Sequence, residues 1–289
     1  MVRILQFGAT GQLAREMLAR GQGQVTALSR TDVDLVDAEA VERAILGSDA
    51  ELVVNAAAYN AVDKAESEEA LAFAVNAHAP TAMARACAAK GIPLVHVSTD
   101  CVFDGSKDGA WTEDDEPGPL GAYGRSKLAG ERGVLESGAD AVVLRTSWVF
   151  SPFGRNFLQI MLQLARTQPQ VRVVDDQHGK PTCAGDMAAF LIAAAPRLVA
   201  REEALFGLFH FANPEAVTRR GFAEAIFAGM GLTTPIVPIT TAEFPTPAAR
   251  PLNAVLDCGK LERAYGVRLR SWREGLAETL AVLKAEGGA

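Results

Sequence analysis

Cysteine is scarce in this chain, and its few thiols do not form a metal-binding pattern. Cys87, Cys101, Cys183 and Cys258 are far apart and include no CxxC pair. Structural zinc sites usually contain closely spaced ligand pairs, so we predict no metal site here. The spacing instead predicts reduced, mostly buried thiols, which are typical of a reducing compartment.

Long apolar runs are missing as well. No stretch approaches the roughly 20 apolar residues that a membrane span requires. The first residues, Met1-Val2-Arg3-Ile4, do not show the basic and apolar regions of a secretory signal. We therefore expect a cytoplasmic protein that has no membrane partner.

Positive charge is in deficit, with 28 lysines and arginines against 35 acidic residues and a net charge of −7. Phosphate-rich surfaces repel such a chain on average, so we predict no nucleic-acid partner. The apolar fraction of 49% is typical of globular proteins, and 289 residues suffice for a large domain with a smaller lobe.

The first half of the chain alternates short apolar runs with helical patterns. Strands are predicted at 4–7, 25–28, 52–54, 94–97 and 142–144, and helices at 12–20, 38–46, about 70–90 and from about 123. This order predicts an α/β fold with a Rossmann-type doubly wound parallel sheet. We place an NAD(P)-binding Rossmann domain at 1–150 and a smaller substrate-binding lobe at 151–289, part of which we expect to return to the sheet.

A glycine loop joins the first predicted strand to the first helix. It reads Gly8-Ala9-Thr10-Gly11-Gln12-Leu13-Ala14. Gly8 permits a tight turn, Gly11 lets the backbone approach a pyrophosphate, and free N–H groups at the helix start face that anion. The alternative is a simple glycine turn. We predict a dinucleotide site that contains Gly8, Thr10, Gly11, Gln12 and Leu13.

The end of the second predicted strand bears on the choice of cofactor. NAD enzymes usually place an acidic residue there, which binds the ribose 2′-hydroxyl. This chain reads Leu28-Ser29-Arg30-Thr31-Asp32, in which Arg30 and Ser29 can hold a 2′-phosphate. We predict NADPH as the cofactor, with NADH tolerated. The alternative is that Arg30 is a solvated loop charge.

Tyr123 is the one tyrosine among three that has a lysine four residues later, Lys127. On a helix, this spacing puts both side chains on one face. A nearby ammonium favours the phenolate and should lower the phenol pKa from about 10 towards neutrality. An accidental pair on a solvated helix face is the alternative.

A third candidate supports the catalytic interpretation. Thr99 lies at the carboxyl end of a predicted strand, where sheets of this type place their active sites. Together the three groups predict carbonyl reduction: a nicotinamide gives the hydride, Tyr123 gives the proton and Thr99 donates a hydrogen bond to the developing alkoxide. Lys127 also binds the nicotinamide ribose.

Several motifs resemble the extended short-chain dehydrogenase/reductases and, more narrowly, the dTDP-4-dehydrorhamnose reductase family. Besides the glycine loop and Tyr123-x-x-x-Lys127, they are the segments 55–66 (NAAAYNAVDKAE), 98–105 (STDCVFDG), 145–150 (RTSWVF), 176–182 (DQHGKPT) and 250–253 (RPLN). The resemblance covers nearly the whole chain. It implies reduction of the 4-keto group of dTDP-4-dehydro-L-rhamnose, the last step of dTDP-L-rhamnose synthesis.

The resemblance also implies site residues. Cofactor contacts are implied for Asp34, Leu35, Ala56, Ala57, Ala58 and Tyr59, and substrate contacts for Asn60, Val62, Thr99, Asp100, Trp148 and Asn253. Three positions depart from the family's pattern: Ala14 replaces a common glycine, Asn60 a threonine and Cys101 a tyrosine. The last two put substrate detail in doubt, but no catalytic group is lost.

Some members of this family dimerise through a metal that a glutamate on the first helix helps to bind. Glu16 matches that position, but no partner ligands are identifiable, so we predict no metal and leave a homodimer open.

Two rival functions remain. Another nucleotide-sugar enzyme of this fold, such as an epimerase or dehydratase, is the first, although a dehydratase typically has a second acid where this chain has Cys101. A non-catalytic nucleotide-binding subunit is the second, although such subunits commonly lose the tyrosine or the lysine. Trp148 also has two interpretations, a sugar contact or a core residue between the lobes.

Overall fold

The structure is a computed structural model and describes residues 1–287. Its strands are β1 (Ile4–Phe7), β2 (Val25–Leu28), β3 (Leu52–Asn55), β4 (Leu94–Thr99), β5 (Ala141–Thr146), β6 (Val149–Phe150), β7 (Val171–Val174), β8 (His178–Gly179), β9 (Thr182–Cys183), β10 (Gly207–Phe211), β11 (Val217–Thr218), β12 (Ile236–Ile239) and β13 (Asn253–Ala254).

The α-helices of this part of the chain are α1 (Gln12–Arg20), α2 (Ala38–Leu46), α3 (Val62–Ala65), α4 (Glu69–Phe73), α5 (Ala79–Lys90), α6 (Ala122–Leu135), α7 (Phe157–Thr167), α8 (Ala184–Val199), α9 (Arg219–Met230), α10 (Gly259–Tyr265) and α11 (Trp272–Ala285). Short 3₁₀ turns lie at Asp100–Val102, Glu203–Leu205 and Thr241–Glu243.

Six parallel strands form the central sheet, in the order β10-β5-β4-β3-β1-β2. The inner strands β1 and β3 are fully buried and apolar except for Gln6 and Asn55, because helices cover both of their faces. One face packs against α1 and α8 through residues such as Met17 and Leu191. The other packs against α2 and α5 through residues such as Val41 and Met83. This is the doubly wound Rossmann-type sheet that the sequence predicts.

The second half of the chain contributes to this sheet and also builds its own core. Strand β10 pairs in parallel with β5 at the sheet edge. Three small sheets, β6-β9, β11-β8-β13 and β12-β7, lie outside the central one. A separate apolar cluster holds this region together, with Phe222 and Trp272 fully buried in it. Trp272, Leu276 and Leu280 are core residues, as their helical spacing indicates.

The predicted helix at about 70–90 is continuous but irregular. Helices α4 and α5 are joined by a π-helical turn at Ala74–His78, which carries Asn76 inward. Such π turns insert one residue into the helical repeat and are frequent at functional sites. Among residues 1–287, no helix combines the length and the apolar character that a membrane crossing requires.

Candidate active site

The carboxyl end of β4 and the first turns of α6 bring the predicted catalytic side chains together. Tyr123 and Lys127 lie one helical turn apart, and both are buried, with 9% and 2% of their surfaces exposed. Both therefore occupy the face of α6 that packs towards the sheet, as the spacing predicts. A solvated pair on the outer helix face is excluded.

Residues of strand β4 position the Lys127 side chain. Its Nζ donates a hydrogen bond to the Val97 carbonyl oxygen at 2.6 Å and lies 3.5 Å from His96 Nε2. Burial lowers the pKa of Lys127 to about 8, and the nearby Glu131 carboxylate raises it. The lysine is thus cationic at neutral pH but loses its proton far more readily than a solvated lysine.

The Tyr123 phenol does not have the lowered pKa that the sequence suggests. Burial raises its pKa above the ordinary value of 10, the neighbouring Cys101 and Asp100 raise it further, and Thr99 lowers it. Lys127 directs its ammonium towards the Val97 carbonyl instead. The phenol oxygen lies 3.5 Å from Asn60 Oδ1. A phenol of high pKa stays protonated at neutral pH, which is the form that a proton donor needs.

Thr99 and the two residues after it form a compact polar turn. The Thr99 hydroxyl donates to Asp100 Oδ1 at 2.8 Å and accepts from the Cys101 N–H at 3.1 Å. A substrate carbonyl must therefore compete with Asp100 for the Thr99 proton. Burial raises the pKa of the Cys101 thiol to about 12, so this residue is a neutral thiol and supplies no second acid.

The glycine loop has the shape that a bound dinucleotide requires. Gly8 has φ +99°, and a Cβ there would lie 3.2 Å from the Ala57 nitrogen, so only glycine fits without strain. Gly11 precedes α1, and no side chain caps the N–H groups of its first turn. These N–H groups are suited to bind an anion. Thr10 and Leu13 lie in the same turn.

Two glutamines brace this loop. Gln6, a buried amide in an otherwise apolar strand, donates to the carbonyl of Gly8 at 2.8 Å. Gln12 donates to Val149 and accepts from Ser151, each at 3.2 Å, which ties α1 to the chain beyond β5. The Gln12 side chain is therefore engaged within the protein, and its backbone N–H remains the group suited to a phosphate.

The segment after β3 contains the residues expected beside the cofactor, and Asn76 fixes it. Asn76 accepts from the Tyr59 N–H at 2.8 Å, donates to the Tyr59 carbonyl at 3.1 Å and donates to Ser126 on α6 at 3.0 Å. Ala56 to Ala58 precede this anchor and are half-buried. Sequence reasoning missed Asn76, whose one signal is a polar residue in an alanine-rich helix.

The loop after β2 leaves Arg30 exposed. The Ser29 hydroxyl is engaged with Asp32, at 2.6 Å, so Arg30 is the group of this pair that remains suited to a 2′-phosphate. Asp34 is exposed and accepts from the Val36 N–H, and Leu35 packs against the second core cluster. These residues all lie at the carboxyl end of β2, as a cofactor ribose site requires.

Trp148 follows β5 on the same side of the sheet. Its backbone has φ +46°, and a Cβ at Gly179 would lie 2.5 Å from Trp148 Cε2, so the indole rests against glycine backbone. The Arg219 guanidinium covers the ring, with Cζ 3.7 Å from its centroid. Sequence reasoning missed Arg219, because no local pattern indicates this contact.

Val62, Asn60 and Asn253, the other predicted substrate residues, differ in burial and in the contacts that they make. Val62 packs against the small cluster that contains Tyr123, and Asn60 is exposed beside the phenol. Asn253 instead donates both amide protons to the carbonyls of Lys107 and Gly109, at 2.7 and 2.6 Å. Those bonds give Asn253 a structural role in fixing that loop, so its substrate contact stays a prediction.

A buried ion pair supports the catalytic elements from behind. Glu131 of α6 and Arg145 of β5 meet at 2.6 Å, with side chains only 2% and 3% exposed, and Ser98 donates to the same carboxylate. The pair joins α6 to both β4 and β5 next to Lys127. An arginine in the apolar strand Ala141–Thr146 was the available signal for it. On α1, Glu16 pairs with Arg20 at 3.0 Å.

Comparison with known proteins agrees with this geometry. The family described as the RmlD substrate binding domain matches residues 2–285. A dTDP-4-dehydrorhamnose reductase from Sinorhizobium fredii is 40% identical over 293 residues, which span 99% of each chain.

Solved structures give the same result. A dTDP-4-dehydrorhamnose reductase from Clostridium acetobutylicum superposes with a TM-score of 0.91 at 35% identity, covering 97% of this chain and 99% of that one. A Bacillus anthracis enzyme of the same name, solved in complex with NADP, gives 0.90 at 30% identity with the same coverage.

Proposed function

The chain belongs to the dTDP-4-dehydrorhamnose reductase family, and we propose that it reduces the 4-keto group of dTDP-4-dehydro-L-rhamnose with NADPH to give dTDP-L-rhamnose. The observation that carries this proposal is the buried Tyr123–Lys127 pair beside Thr99 at the carboxyl end of β4. The cofactor that the Bacillus anthracis relative binds supports the choice of NADP(H).

The residues present fit a bound NADPH. The glycine loop leaves the N–H groups of the first turn of α1 without a side-chain cap, as a pyrophosphate requires. We assign the adenosine and ribose of the cofactor to Asp34, Leu35 and the segment Ala56 to Tyr59, its 2′-phosphate to Arg30, and the nicotinamide ribose to Lys127. When bound, NADPH supplies the hydride to the keto carbon.

Three side chains of the protein act on the carbonyl oxygen of the substrate in the proposed reaction. Thr99 donates a hydrogen bond to the carbonyl oxygen and stabilises the charge that develops when the C=O π bond breaks. Tyr123 delivers its phenolic proton to that oxygen, so a C–H and an O–H bond form together. Lys127 holds the cofactor ribose and balances the negative charge that Tyr123 then carries.

The substrate is assigned to the space between the central sheet and the residues after β5. We propose substrate contacts from Asn60, Val62, Asp100, Trp148 and Asn253. In this proposal, residues 1–150 form the cofactor domain and 151–289 the substrate lobe, from which β10 rejoins the sheet. A cytoplasmic location accords with four free thiols, and a homodimer remains a prediction that light scattering tests.

One assay tests the proposed reduction. The protein is mixed with NADPH and dTDP-4-dehydrorhamnose, and the loss of reduced-cofactor absorbance is followed beside product formation. We expect stoichiometric oxidation of NADPH and formation of dTDP-L-rhamnose. Absence of turnover with this substrate, by a folded protein that binds NADPH, would refute the proposal. The dehydratase alternative has little support because Cys101 is a neutral thiol.

A further inference from the structure

Arg219, which covers the Trp148 ring, is a cation whose side-chain hydrogen-bonding capacity is unused within residues 1–287. It begins α9, and its guanidinium lies 3.7 Å from the Trp148 ring centroid and 5.2 Å from that of Phe157. Within residues 1–287, its side chain donates no hydrogen bond, although a guanidinium carries five N–H donors. Partly enclosed arginines normally find acceptors, so this one is prepared for an acceptor that the chain itself does not provide.

The adjacent arginine shows the contrast. Arg220 donates to Asp175 at 2.9 Å and to Glu224 at 2.8 Å, so its charge is balanced by two carboxylates on the surface. Two neighbours in the chain therefore have different tasks. Arg220 joins α9 to the loop after β7, whereas the Arg219 guanidinium lies over the rings of Trp148 and Phe157.

The charges around Arg219 favour an anionic ligand. Burial lowers the pKa of its guanidinium to about 10, Asp100 and Cys101 raise it, and Arg250 lowers it, so the group stays cationic at neutral pH. Burial raises the pKa of Asp100, and this carboxylate accepts from the Thr99 hydroxyl and not from Arg219. Arg250, the second cation, already pairs with Asp63 at 2.9 Å. Arg219 is therefore the cation of this group that has no hydrogen-bonded carboxylate within residues 1–287.

The position of this charge identifies the part of the ligand that it meets. Arg219 covers the ring of Trp148 and is near enough to Asp100 for that carboxylate to raise its pKa. Asp100 follows Thr99, whose hydroxyl faces the reacting carbonyl in the proposed function, so Arg219 lies on the substrate side of the site. The strongest anion in a nucleoside diphosphate sugar is its diphosphate, and a planar guanidinium can bind phosphate oxygens in a bidentate manner. The ring of Trp148 fixes the plane of that guanidinium.

We propose that Arg219 binds the diphosphate of the nucleotide-sugar substrate, with the Trp148 indole as its platform and Arg250 as a second positive charge. The inference rests on the proposed function in one respect, the nucleoside diphosphate class of the substrate. Trp148 then acts on the substrate partly through Arg219.

The test measures binding of dTDP alone by titration calorimetry, so it needs neither sugar nor turnover. The variants are Arg219→Met, which keeps the apolar stem, and Arg219→Lys, which keeps the charge without the planar fork. Arg220→Met is the matched control. We expect the Kd for dTDP to rise roughly 10- to 100-fold in Arg219→Met and by less in Arg219→Lys. NADPH binding and the Arg220→Met variant should stay within about twofold of the parent.

Thymidine has no phosphate, so its binding distinguishes the loss of a charge contact from a general distortion of the nucleotide-binding site. Its binding should be equal in the parent and both Arg219 variants. A Kd for dTDP unchanged by Arg219→Met, or an equal loss for thymidine and dTDP, overturns the inference. If Arg219→Met does not fold, Arg219→Gln replaces it, because glutamine removes the charge but keeps a polar side chain, and an unchanged dTDP affinity in Arg219→Gln overturns the inference equally.

These outcomes remain distinct from failure of the proposed function. A parent that reduces dTDP-4-dehydrorhamnose while Arg219→Met binds dTDP normally refutes the role of Arg219 alone. A parent that binds dTDP through Arg219 but reduces no such sugar refutes the proposed reaction and supports the diphosphate site. A parent that binds no dTDP overturns the inference.

Discussion

The Lys127 ammonium and the His96 imidazole meet behind the catalytic helix, with 3.5 Å between Nζ and Nε2. His96 is fixed on its other side by Asn55, whose Nδ2 donates to His96 Nδ1 at 3.0 Å, while the Asn55 oxygen accepts from the Ala57 N–H at 3.1 Å. Hydrogen bonds thus join the segment beside the cofactor to His96, and the His96 ring in turn contacts the catalytic lysine.

The first prediction concerns the protonation of Lys127. Its pKa is about 8 in the folded protein and 10.5 in the unfolded chain. Between these values the unfolded chain binds more protons, so the contribution of Lys127 to the free energy of unfolding rises with pH. NADPH affinity should fall over the same range, because the ammonium that binds the ribose is lost.

NADPH titrations and urea unfolding from neutral pH to about pH 10, with Lys127→Met as the reference, measure both trends. In Lys127→Met the pH-dependent change should disappear from each. A parent whose NADPH affinity and stability relative to this variant are constant across the range would contradict the prediction.

The second prediction assigns the tautomer of His96. Because Nδ1 accepts from Asn55, the ring proton must be on Nε2, facing Lys127. Burial and the Lys127 charge hold the pKa of His96 well below 6.5. The unfolded chain takes up a proton there as the pH falls through 6.5, so His96 destabilises the fold in acid.

Nitrogen NMR of histidine-labelled protein should show a neutral Nε2–H ring at neutral pH, which persists as the pH falls until the protein unfolds. A signal that titrates with a pKa near 6.5 in the folded protein, or an Nδ1–H ring, would show that the chain from Asn55 is arranged differently.

The third prediction concerns the proton donor. Tyr123→Phe keeps the ring in its buried position and removes the phenolic proton, so turnover should fall by about 10²-fold or more while NADPH binds normally. Tyr265→Phe is the matched control, because it also removes a buried hydroxyl, bonded to the Leu205 carbonyl at 2.7 Å, but outside the site. It should lose stability, about 1 kcal/mol, and keep turnover. Similar kcat values for Tyr123→Phe and the parent would remove Tyr123 from the mechanism.

The fourth prediction concerns cofactor choice. Arg30 is exposed, and Asp32 engages its neighbour Ser29, so Arg30 is the group suited to read a 2′-phosphate. Arg30→Ala should weaken NADPH binding roughly tenfold or more and leave NADH almost unchanged. Arg43→Ala, which removes another exposed arginine from α2, should change neither. An equal effect of Arg30→Ala on both cofactors would show that Arg30 does not distinguish them.

Features of the structure that depend on residues close together in the chain were predictable from the sequence. Helix α1 spans Gln12–Arg20, as predicted, because helix limits depend on local residues, here the flanking Gly11 and Gly21. The catalytic pair was predictable for the same reason, since one helical turn separates Tyr123 from Lys127.

Features that depend on distant contacts were not predictable. The stacking of Arg219 on Trp148 joins residues far apart in the chain, and neither leaves a periodic pattern. The π turn carries Asn76 to Tyr59 and Ser126, contacts that a helical repeat does not show. The pKa of Tyr123 was predicted to fall because sequence spacing shows neither the burial that raises this pKa nor the Val97 carbonyl to which Lys127 directs its ammonium.

The fifth prediction decides between the two interpretations of Trp148. Its indole is half-buried, rests on Gly179 and carries the Arg219 guanidinium, so it links the substrate cleft to the core of the C-terminal residues. If its main task is to shape the substrate site, Trp148→Ala should stay folded and bind NADPH normally. The value of kcat/KM for dTDP-4-dehydrorhamnose should then fall roughly tenfold or more, equivalent to about 1.4 kcal/mol of transition-state stabilisation.

Trp272→Ala provides the matched control, because Trp272 is fully buried in the C-terminal core. It should cost about 3–5 kcal/mol of stability, as a large cavity does, while its folded fraction keeps a normal kcat/KM. Chemical unfolding and steady-state kinetics on both variants separate the roles. If Trp148→Ala behaves like Trp272→Ala, with lost stability and unchanged kcat/KM, then Trp148 is a core residue and the sugar contact is wrong. Trp148→Phe should recover part of the lost kcat/KM, because a smaller aromatic face still supports the Arg219 guanidinium.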